Sequence, residues 1–157
     1  MNEMVAFFQG HVCAEPALVD LPRPMVFTNG VFDILHRGHV EYLYDARQLG
    51  ASLLVAVNAD VSVRMLDKGE GRPINSEYDR AFLVSSLNSV SGVLVFAERT
   101  PIEVLKHFRP ELYVKGGDYD VETLPETPLV RSWGGRALTL PFRAGYSTTS
   151  LVQRLQH

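Results

Sequence analysis

The 157-residue sequence has one cysteine, Cys13, and no excess of positive charge. A single cysteine excludes an internal disulfide framework and a cysteine-based metal cluster. A formal net charge of −3 offers no basic surface for nucleic acid or for an anionic membrane, so we expect neither partner. No apolar run approaches the roughly 20 residues that a membrane-spanning helix needs. The N-terminus also lacks the basic stretch that opens a secretory signal, and we therefore expect a cytoplasmic protein.

Two widespread nucleotide-binding signatures are absent as well. No GxGxxG motif follows the first apolar segment, which disfavours a Rossmann dehydrogenase. No GxxxxGK[ST] motif occurs anywhere in the chain, which disfavours a P-loop kinase. If this chain binds a nucleotide, it therefore needs a different phosphate-binding motif.

Short apolar segments alternate with segments of helical periodicity. The predicted strands are Met25–Thr28, Leu53–Asn58, Val93–Phe96, Leu112–Lys115 and Arg136–Leu140. Their nearly continuous apolar character is typical of strands that are covered on both faces of a parallel sheet. Ser76 and Ser147 are predicted to cap helices. The alternation predicts a single, doubly wound α/β domain, in which ligands bind beyond the carboxyl ends of the strands.

The stretch VFTNGVFDILHRGHVEYLYDARQLG, residues 26–50, places two histidines where the first strand gives way to a helix. A spacing of three puts His36 and His39 on one face of the first helical turn. Gly38 lets a ligand approach the backbone closely, and the unpaired N–H groups of a helix N-terminus attract anions. These features predict a phosphate site in which two imidazoles donate hydrogen bonds and positive charge.

Two other interpretations of the histidine pair compete with this one. A zinc site needs three or four protein ligands, but the chain contains neither HExxH nor a CxxC pair. A structural role, as capping or core histidines, is not excluded by the pair alone.

Two motifs in a fixed order carry a resemblance to a known family. TNGVFDILHRGH, residues 28–39, contains HxGH after the first strand, and GYSTTSLV, residues 145–152, forms a Ser/Thr-rich turn before the last helix. By these motifs the chain resembles the nucleotidyltransferase family of the cytidylyltransferase type. With GEGRPINSEYDR and VKGGDY, it is similar in particular to the heptose 1-phosphate adenylyltransferases of ADP-heptose synthesis. The resemblance covers about Pro24 to Leu155 and looks like the standalone form, without a kinase domain.

The resemblance implies a fold and a reaction. The fold is a Rossmann-like, five-stranded parallel sheet of order 3-2-1-4-5, in a nucleotidyltransferase domain at residues 24–157. Residues 1–23 would form a leading segment, interpreted as a helix and a connector. The reaction is transfer of AMP from ATP to D-glycero-β-D-manno-heptose 1-phosphate, with release of pyrophosphate, for lipopolysaccharide precursor synthesis. Mg²⁺ is the implied cofactor, and a homo-oligomer is the implied assembly.

The resemblance also implies the site residues. His36 and His39 would stabilise the triphosphate, Arg80 would contact this centre, and Lys68 would close over the phosphates from a mobile loop. Asp33 would orient the site or help to hold magnesium. The residues implied to bind the nucleotide are Thr28, Asn29, Gly30, Phe32, Asp33, Gly38, Lys115, Gly116, Gly117, Asp118, Ser147, Thr148 and Thr149.

Several of these residues also have structural interpretations. Asp33 can be a turn residue, Arg80 a solvated helix charge, and Lys115 an ordinary exposed lysine. Relatives that act on glycerol phosphate carry an arginine where this chain has Phe142, which argues against that branch. Two functional alternatives stay open: a cytidylyltransferase that acts on an alcohol phosphate, and a nucleotide-binding module without catalysis.

Overall fold

The computed structural model describes residues 5–8, 11–13, 18 and 20–156. Within them the strands are β1 (Ala6–Phe8), β2 (His11–Cys13), β3 (Met25–Gly30), β4 (Ser52–Asn58), β5 (Gly92–Phe96), β6 (Leu112–Gly116) and β7 (Arg136–Leu140). The helices are α1 (Arg37–Arg47), α2 (Asp60–Met65), α3 (Glu77–Ser85), α4 (Ile102–Phe108), α5 (Glu126–Arg131) and α6 (Thr148–Leu155), with a 3₁₀ turn at Val121–Thr123. None of these helices is long and apolar enough to cross a bilayer.

The described strands form one mixed sheet in the order β2-β1-β5-β4-β3-β6-β7. Neighbours from β5 to β7 are parallel, and these five strands have the predicted order 3-2-1-4-5, which is confirmed. The chain winds outward from β3 to β5 and then returns to place β6 on the other side of β3. This reversal creates a switch point between β3 and β6, where a doubly wound sheet binds its ligands.

The prediction of a purely parallel, five-stranded sheet is wrong at one edge. Strand β1 pairs antiparallel with β5, with Ala6 opposite Leu94, and β2 pairs antiparallel with β1. Residues 6–8 and 11–13 are therefore strands, where a leading helix was expected. Three-residue strands are too short to show a period of two in the sequence. The rest of the expected helix, apart from residues 5, 18, 20 and 21, lies outside the described residues, and a domain boundary at residue 23 stays a prediction.

The central strands are buried on both faces, as their apolar sequences predicted. Val26 and Val55 point to the face that is covered by α1 and α3. Phe27 and Leu54, their neighbours along the chain, point to the opposite face, which is covered by α4 and α5. Because successive strand residues alternate between faces, each strand contributes to both cores.

The predicted helix caps at Ser76 and Ser147 are confirmed. The Ser76 hydroxyl accepts a hydrogen bond from the Asp79 N–H at 3.2 Å and opens α3. The Ser147 hydroxyl accepts one from the Ser150 N–H at 3.0 Å and opens α6. These caps fix where the two helices begin, and both begin on the side of the sheet where the strands end.

Candidate active site

A cleft of about 500 Å³ opens at the carboxyl ends of β3 and β6, at the switch point of the sheet. The predicted site residues that line it are Asn29, Gly30, Phe32, Asp33, His39, Lys68, Lys115, Gly116, Thr148 and Thr149. The predicted site residues outside this lining are Thr28, His36, Gly38, Arg80, Gly117, Asp118 and Ser147. Residues from distant parts of the chain therefore meet in one place.

The turn between β3 and α1 folds back on the end of the strand. Phe32 adopts a left-handed backbone conformation with φ of 49°, which is rare for a bulky residue. Its buried ring lies so close to Gly30 that an added Cβ there would be 2.9 Å from Cε2. The same ring meets the His39 ring edge-on, with 5.2 Å between the centroids. Gly30 and Phe32 therefore shape the part of the cleft next to His39.

His36 and His39 form a stacked pair of imidazoles. Their ring centroids are 3.7 Å apart, and the ring planes differ by 18°. His36 is also the N-cap of α1, where its Nδ1 accepts a hydrogen bond from the His39 N–H at 3.4 Å. At Gly38 an added Cβ would lie 2.8 Å from Cβ of Tyr146 and 3.0 Å from the His36 ring. His36 thus has a capping role, whereas His39 reaches the cleft.

Burial controls the charge of the histidine pair. Burial, and after it the charge of the adjacent His36, lowers the pKa of His39 to about 4. Burial also lowers the pKa of His36, so both rings are neutral at pH 7 without a ligand. Nδ1 of His39 is enclosed and has no hydrogen-bond partner among the described residues, which leaves Nε2 to meet a ligand. An anion beside this ring favours the imidazolium and raises its pKa.

Asp33 holds a neighbouring loop in place. Its buried carboxylate accepts hydrogen bonds from Arg72 Nε at 2.6 Å, from the Ile74 N–H at 2.9 Å and from the Asn75 N–H at 3.0 Å. Burial alone would raise the pKa of Asp33, but the hydrogen bonds from Asn75, Ile74 and Arg72 outweigh it and hold the pKa below its ordinary value. The carboxylate is therefore ionised and already engaged by protein groups.

Arg80 lies completely buried behind the cleft. Its guanidinium donates to the Val31 carbonyl at 2.6 Å, to the Asn75 carbonyl at 3.0 Å and to the Asp60 carboxylate at 2.7 Å. Arg80 thus ties the turn after β3 to the loop that Asp33 holds. It does not line the cleft, so any effect of Arg80 on a ligand passes through these segments.

Thr28 and Tyr42 brace the cleft from inside the fold. The Thr28 hydroxyl is 2.7 Å from the Tyr42 hydroxyl, which donates to the Val114 carbonyl at 3.2 Å. Burial raises the pKa of Tyr42, so its hydroxyl stays protonated. Thr28 is therefore a supporting residue, whereas Tyr42 also contributes to the cleft lining.

Lys115 at the end of β6 and Glu126 at the start of α5 bring an ammonium group and a carboxylate to the cleft. Burial lowers the pKa of Lys115, while the Glu126 carboxylate opposes this effect and the Lys68 ammonium adds to it. Lys68 comes from the exposed loop after α2, and Glu126 opens α5. Two ammonium groups and one carboxylate therefore share this end of the cleft.

Aromatic rings lie against the glycines that follow Lys115. An added Cβ at Gly116 would be 2.5 Å from the Phe142 ring, so a larger residue there would require this half-exposed ring to move. Gly117 has φ of +109°, which favours glycine, and an added Cβ there would be 3.3 Å from the Tyr119 ring and 3.4 Å from the Phe142 ring. Asp118 is exposed and lies outside the lining.

The start of α6 presents hydroxyl groups to the cleft. Thr148 and Thr149 both line it, and the Thr148 hydroxyl lies 3.5 Å from the Ile34 carbonyl. Ser147 is occupied as the helix cap. The start of a helix also carries unpaired N–H groups, so this corner suits an anion.

Comparison with known proteins shows the family to which the chain belongs. The sequence profile of the family described as cytidylyltransferase-like matches residues 27–154. The chain belongs to the cytidylyltransferase-like family. It is 60% identical over 136 residues to a D-beta-D-heptose 1-phosphate adenylyltransferase of Bordetella bronchiseptica, which covers 87% of this chain and 84% of that protein.

Two further relatives extend the comparison. The bifunctional protein HldE of Syntrophotalea carbinolica is 46% identical over 133 residues, which are 85% of this chain but 27% of HldE. Among solved structures, a lipopolysaccharide core biosynthesis protein from Thermoplasma volcanium superposes with a TM-score of 0.64 at 29% identity, and the match covers 76% of this chain and 95% of that one. The cytidylyltransferase-like fold thus extends over most of the chain.

The cleft of this cytidylyltransferase-like protein does not fit a magnesium ion held by protein ligands alone. The described residues contain no group of three His, Cys, Asp or Glu side chains that could hold a metal ion. The Asp33 oxygens already accept hydrogen bonds from three residues. Magnesium commonly binds through substrate phosphates and keeps several waters. The cleft therefore fits a magnesium ion whose ligands would come mainly from nucleotide phosphates and water.

Several lining residues were not predicted from the sequence. They are Val31, Tyr42, Asn58, Leu66, Arg72, Arg99, Thr100, Pro101, Tyr119, Glu126 and Phe142. Asn58 ends β4 and Arg99 follows β5, so their place at the carboxyl ends of predicted strands was a usable signal. Glu126 had no such signal, because only the packing of α5 brings it to β6.

The contacts of Arg80 predict a loss of stability when it is replaced. In Arg80→Met the Asp60 carboxylate and two carbonyls lose their donors, so the free energy of unfolding should fall by about 3 kcal/mol. Urea unfolding measures the change, with Arg154→Met on the exposed face of α6 as a control that should change little. A variant of full stability that has lost activity would instead assign Arg80 a direct role at the catalytic centre.

The pKa of His39 predicts how stability depends on pH. Because this pKa is about 4 in the folded protein against an ordinary 6.5, the unfolded chain binds more protons between these values. The free energy of unfolding should therefore decrease as the pH falls from 6.5 towards 4, and His39→Gln should flatten this slope. Urea unfolding across a pH series measures it. An identical slope in the variant would show that His39 is not a buried neutral imidazole.

Proposed function

We propose that the protein transfers AMP from ATP to D-glycero-β-D-manno-heptose 1-phosphate, forming an ADP-heptose and pyrophosphate. The observation that carries the proposal is the meeting of His39, two lysines and two threonine hydroxyls in one cleft at the switch point. The 60% identity to a heptose 1-phosphate adenylyltransferase supports the choice of substrates. The fold alone would leave the substrates open.

The reaction is an in-line displacement at the α-phosphorus of ATP. An oxygen of the sugar phosphate forms the new bond to this phosphorus, and the bond to the β-phosphate oxygen breaks. The attacking phosphate is already an anion at neutral pH, so no strong general base is required. Catalysis then consists mainly of positioning and of stabilising negative charge.

The cleft residues divide this work between them. His39 donates from Nε2 to a phosphate oxygen, and the nearby negative charge raises its pKa so that the ring takes up a proton. Lys68 and Lys115 supply positive charge, and Thr148 and Thr149 donate from their hydroxyls. Asp33, Arg80 and Thr28 act as positioning residues, because their polar groups are engaged by the protein itself. Magnesium would enter with the phosphates of ATP and reduce their charge.

The cellular setting follows from the proposed reaction. An ADP-heptose is an activated sugar donor, and we propose that it serves lipopolysaccharide synthesis in the cytoplasm. A homo-oligomer also remains a prediction, supported by the half-exposed aromatic rings of Tyr78 and Phe82 on α3. Light scattering on the purified protein would measure the mass of the assembly.

The first test replaces the histidine that reaches the cleft. His39→Ala should lower kcat by about 100- to 1,000-fold, because it removes one preorganised donor to the developing charge. Pyrophosphate release measures the rate, and thermal unfolding confirms that the variant is folded. His107→Ala serves as a matched control, since His107 lies on α4 away from the cleft and should leave kcat unchanged. A folded His39→Ala variant with wild-type kcat would contradict the role.

The same assay tests the substrates. Wild-type protein should release pyrophosphate with ATP and the heptose 1-phosphate, and much more slowly with CTP or with glycerol 3-phosphate. Faster turnover of CTP with an alcohol phosphate would contradict the proposal and favour a cytidylyltransferase. Nucleotide binding without turnover of any pair would favour the non-catalytic module.

The loop that carries Lys68 should close over ATP. Gly69 and Gly71 have positive φ, and residues 67–71 are exposed. Lys68 forms no ion pair with a described residue, so phosphate would be its first close partner. Lys68→Ala should therefore raise KM for ATP and lower kcat together, with little change in stability. Tryptic cleavage after Lys68 should slow when ATP and magnesium are added, and equal cleavage in both states would contradict closure.

A further inference from the structure

The cleft has two walls, one on each face of the sheet. His39 and Tyr42 come from α1, which covers one face, and we call this side the α1 wall. Tyr113 belongs to the core under α4 and α5, and Lys115, two residues further along β6, points to the same face. Lys115 and Glu126 therefore form the opposite side, which we call the α5 wall.

Glu126 is the unusual residue of the α5 wall. Its side chain is only 5% exposed, yet it lines the cleft. No described residue donates a hydrogen bond to its carboxylate or forms an ion pair with it within 4 Å. The Glu126 oxygens are not among the enclosed side-chain atoms that lack a partner, so they open onto the cleft and its water. A carboxylate in this position can accept hydrogen bonds from a ligand that replaces this water.

The neighbours of Glu126 show which part of a ligand it can meet. Lys115 lies close enough to Glu126 and to Lys68 for both to affect its pKa. The ammonium groups attract phosphate, whereas a carboxylate repels it and accepts hydrogen bonds from hydroxyl groups. A ligand on this wall would therefore place its phosphate by Lys115 and its hydroxyl groups by Glu126. A sugar phosphate has this polarity.

The geometry of the proposed reaction puts the acceptor on the same wall. In phosphoryl transfer the attacking and leaving oxygens lie roughly in line on opposite sides of the phosphorus. His39, Thr148 and Thr149 would hold the leaving pyrophosphate on the α1 wall. The attacking sugar phosphate must then approach from the opposite side, where Lys115 and Glu126 lie.

We propose that Glu126 binds hydroxyl groups of the acceptor sugar and so selects a polyhydroxylated sugar phosphate. The inference rests on the proposed function and extends it to the acceptor subsite. One carboxylate can accept from two adjacent hydroxyls, and Lys115 holds the attached phosphate towards the α-phosphorus. Glu126 touches the substrate but takes no part in the chemical step. Its loss should therefore act on acceptor binding.

The experiment compares Glu126→Gln with wild-type protein. The variant keeps the size of the side chain but loses the charge, so KM for the heptose 1-phosphate should rise about 10- to 100-fold. The Kd for ATP, measured by calorimetry, should change less than about twofold. Glu103→Gln, an exposed carboxylate on α4, is the matched control and should leave both constants unchanged. Thermal unfolding checks that each variant is folded.

Deoxy analogues identify the hydroxyl groups involved. With a sugar 1-phosphate that lacks the hydroxyl bound by Glu126, the KM of wild-type protein should rise by the same factor as the Glu126→Gln substitution causes. For Glu126→Gln, the KM for this analogue should be little higher than its KM for the complete sugar phosphate. A rise in the Kd for ATP with an unchanged sugar KM would place Glu126 at the ribose and overturn the inference. An unchanged KM and Kd would overturn it as well. Absence of turnover with every sugar 1-phosphate in wild-type protein would overturn the proposed function, and this inference with it.

Discussion

The shape of the cleft depends on the hydrogen bonds that the Asp33 carboxylate accepts from the loop at residues 72–75. Asp33 lies in the turn after β3 and fastens residues 72–75, which lead into α3. Arg80 holds the same two segments from behind through the Val31 and Asn75 carbonyls. The Asp33 carboxylate on the cleft side and the Arg80 guanidinium on the buried side therefore hold the turn after β3 against residues 72–75. The Lys68 loop ends at these residues, so the proposed closure over ATP would turn about a hinge that is fixed on one side.

The histidine pair shows how one motif can serve folding and chemistry together. His36 caps α1 by accepting a hydrogen bond from the His39 N–H, and its ring stacks on the His39 ring. Burial keeps both rings neutral until an anion is present. The protein thus avoids positive charge on two partly buried, stacked rings in the absence of a ligand, and we expect the pair to gain positive charge if phosphate binds there. The structural interpretation of the motif therefore holds for His36, whereas the proposed chemistry rests on His39.

The strands and the switch point could be predicted from the sequence because buried parallel strands leave long apolar runs. Strands β1 and β2 could not, since β1 is defined only by its pairing with β5, and β2 only by its pairing with β1. The place of His39 and Thr148 in the cleft lining could be predicted because each lies in a motif. That of Glu126 could not, because it depends on how α5 packs against the sheet. Asp33 could also be placed there, but its contacts with Arg72 and the loop are tertiary and leave no local pattern.

The antiparallel pair β1 and β2 has a consequence for self-association of the sheet. Strand β5 is five residues long, buried and apolar, and without β1 it would present unpaired backbone groups at an edge. Such an edge can recruit a strand from another molecule and begin aggregation. Strand β1 covers β5, and the edge passes to β2, which is three residues long. The short N-terminal strands therefore protect the edge of β5 from pairing with a strand of another molecule.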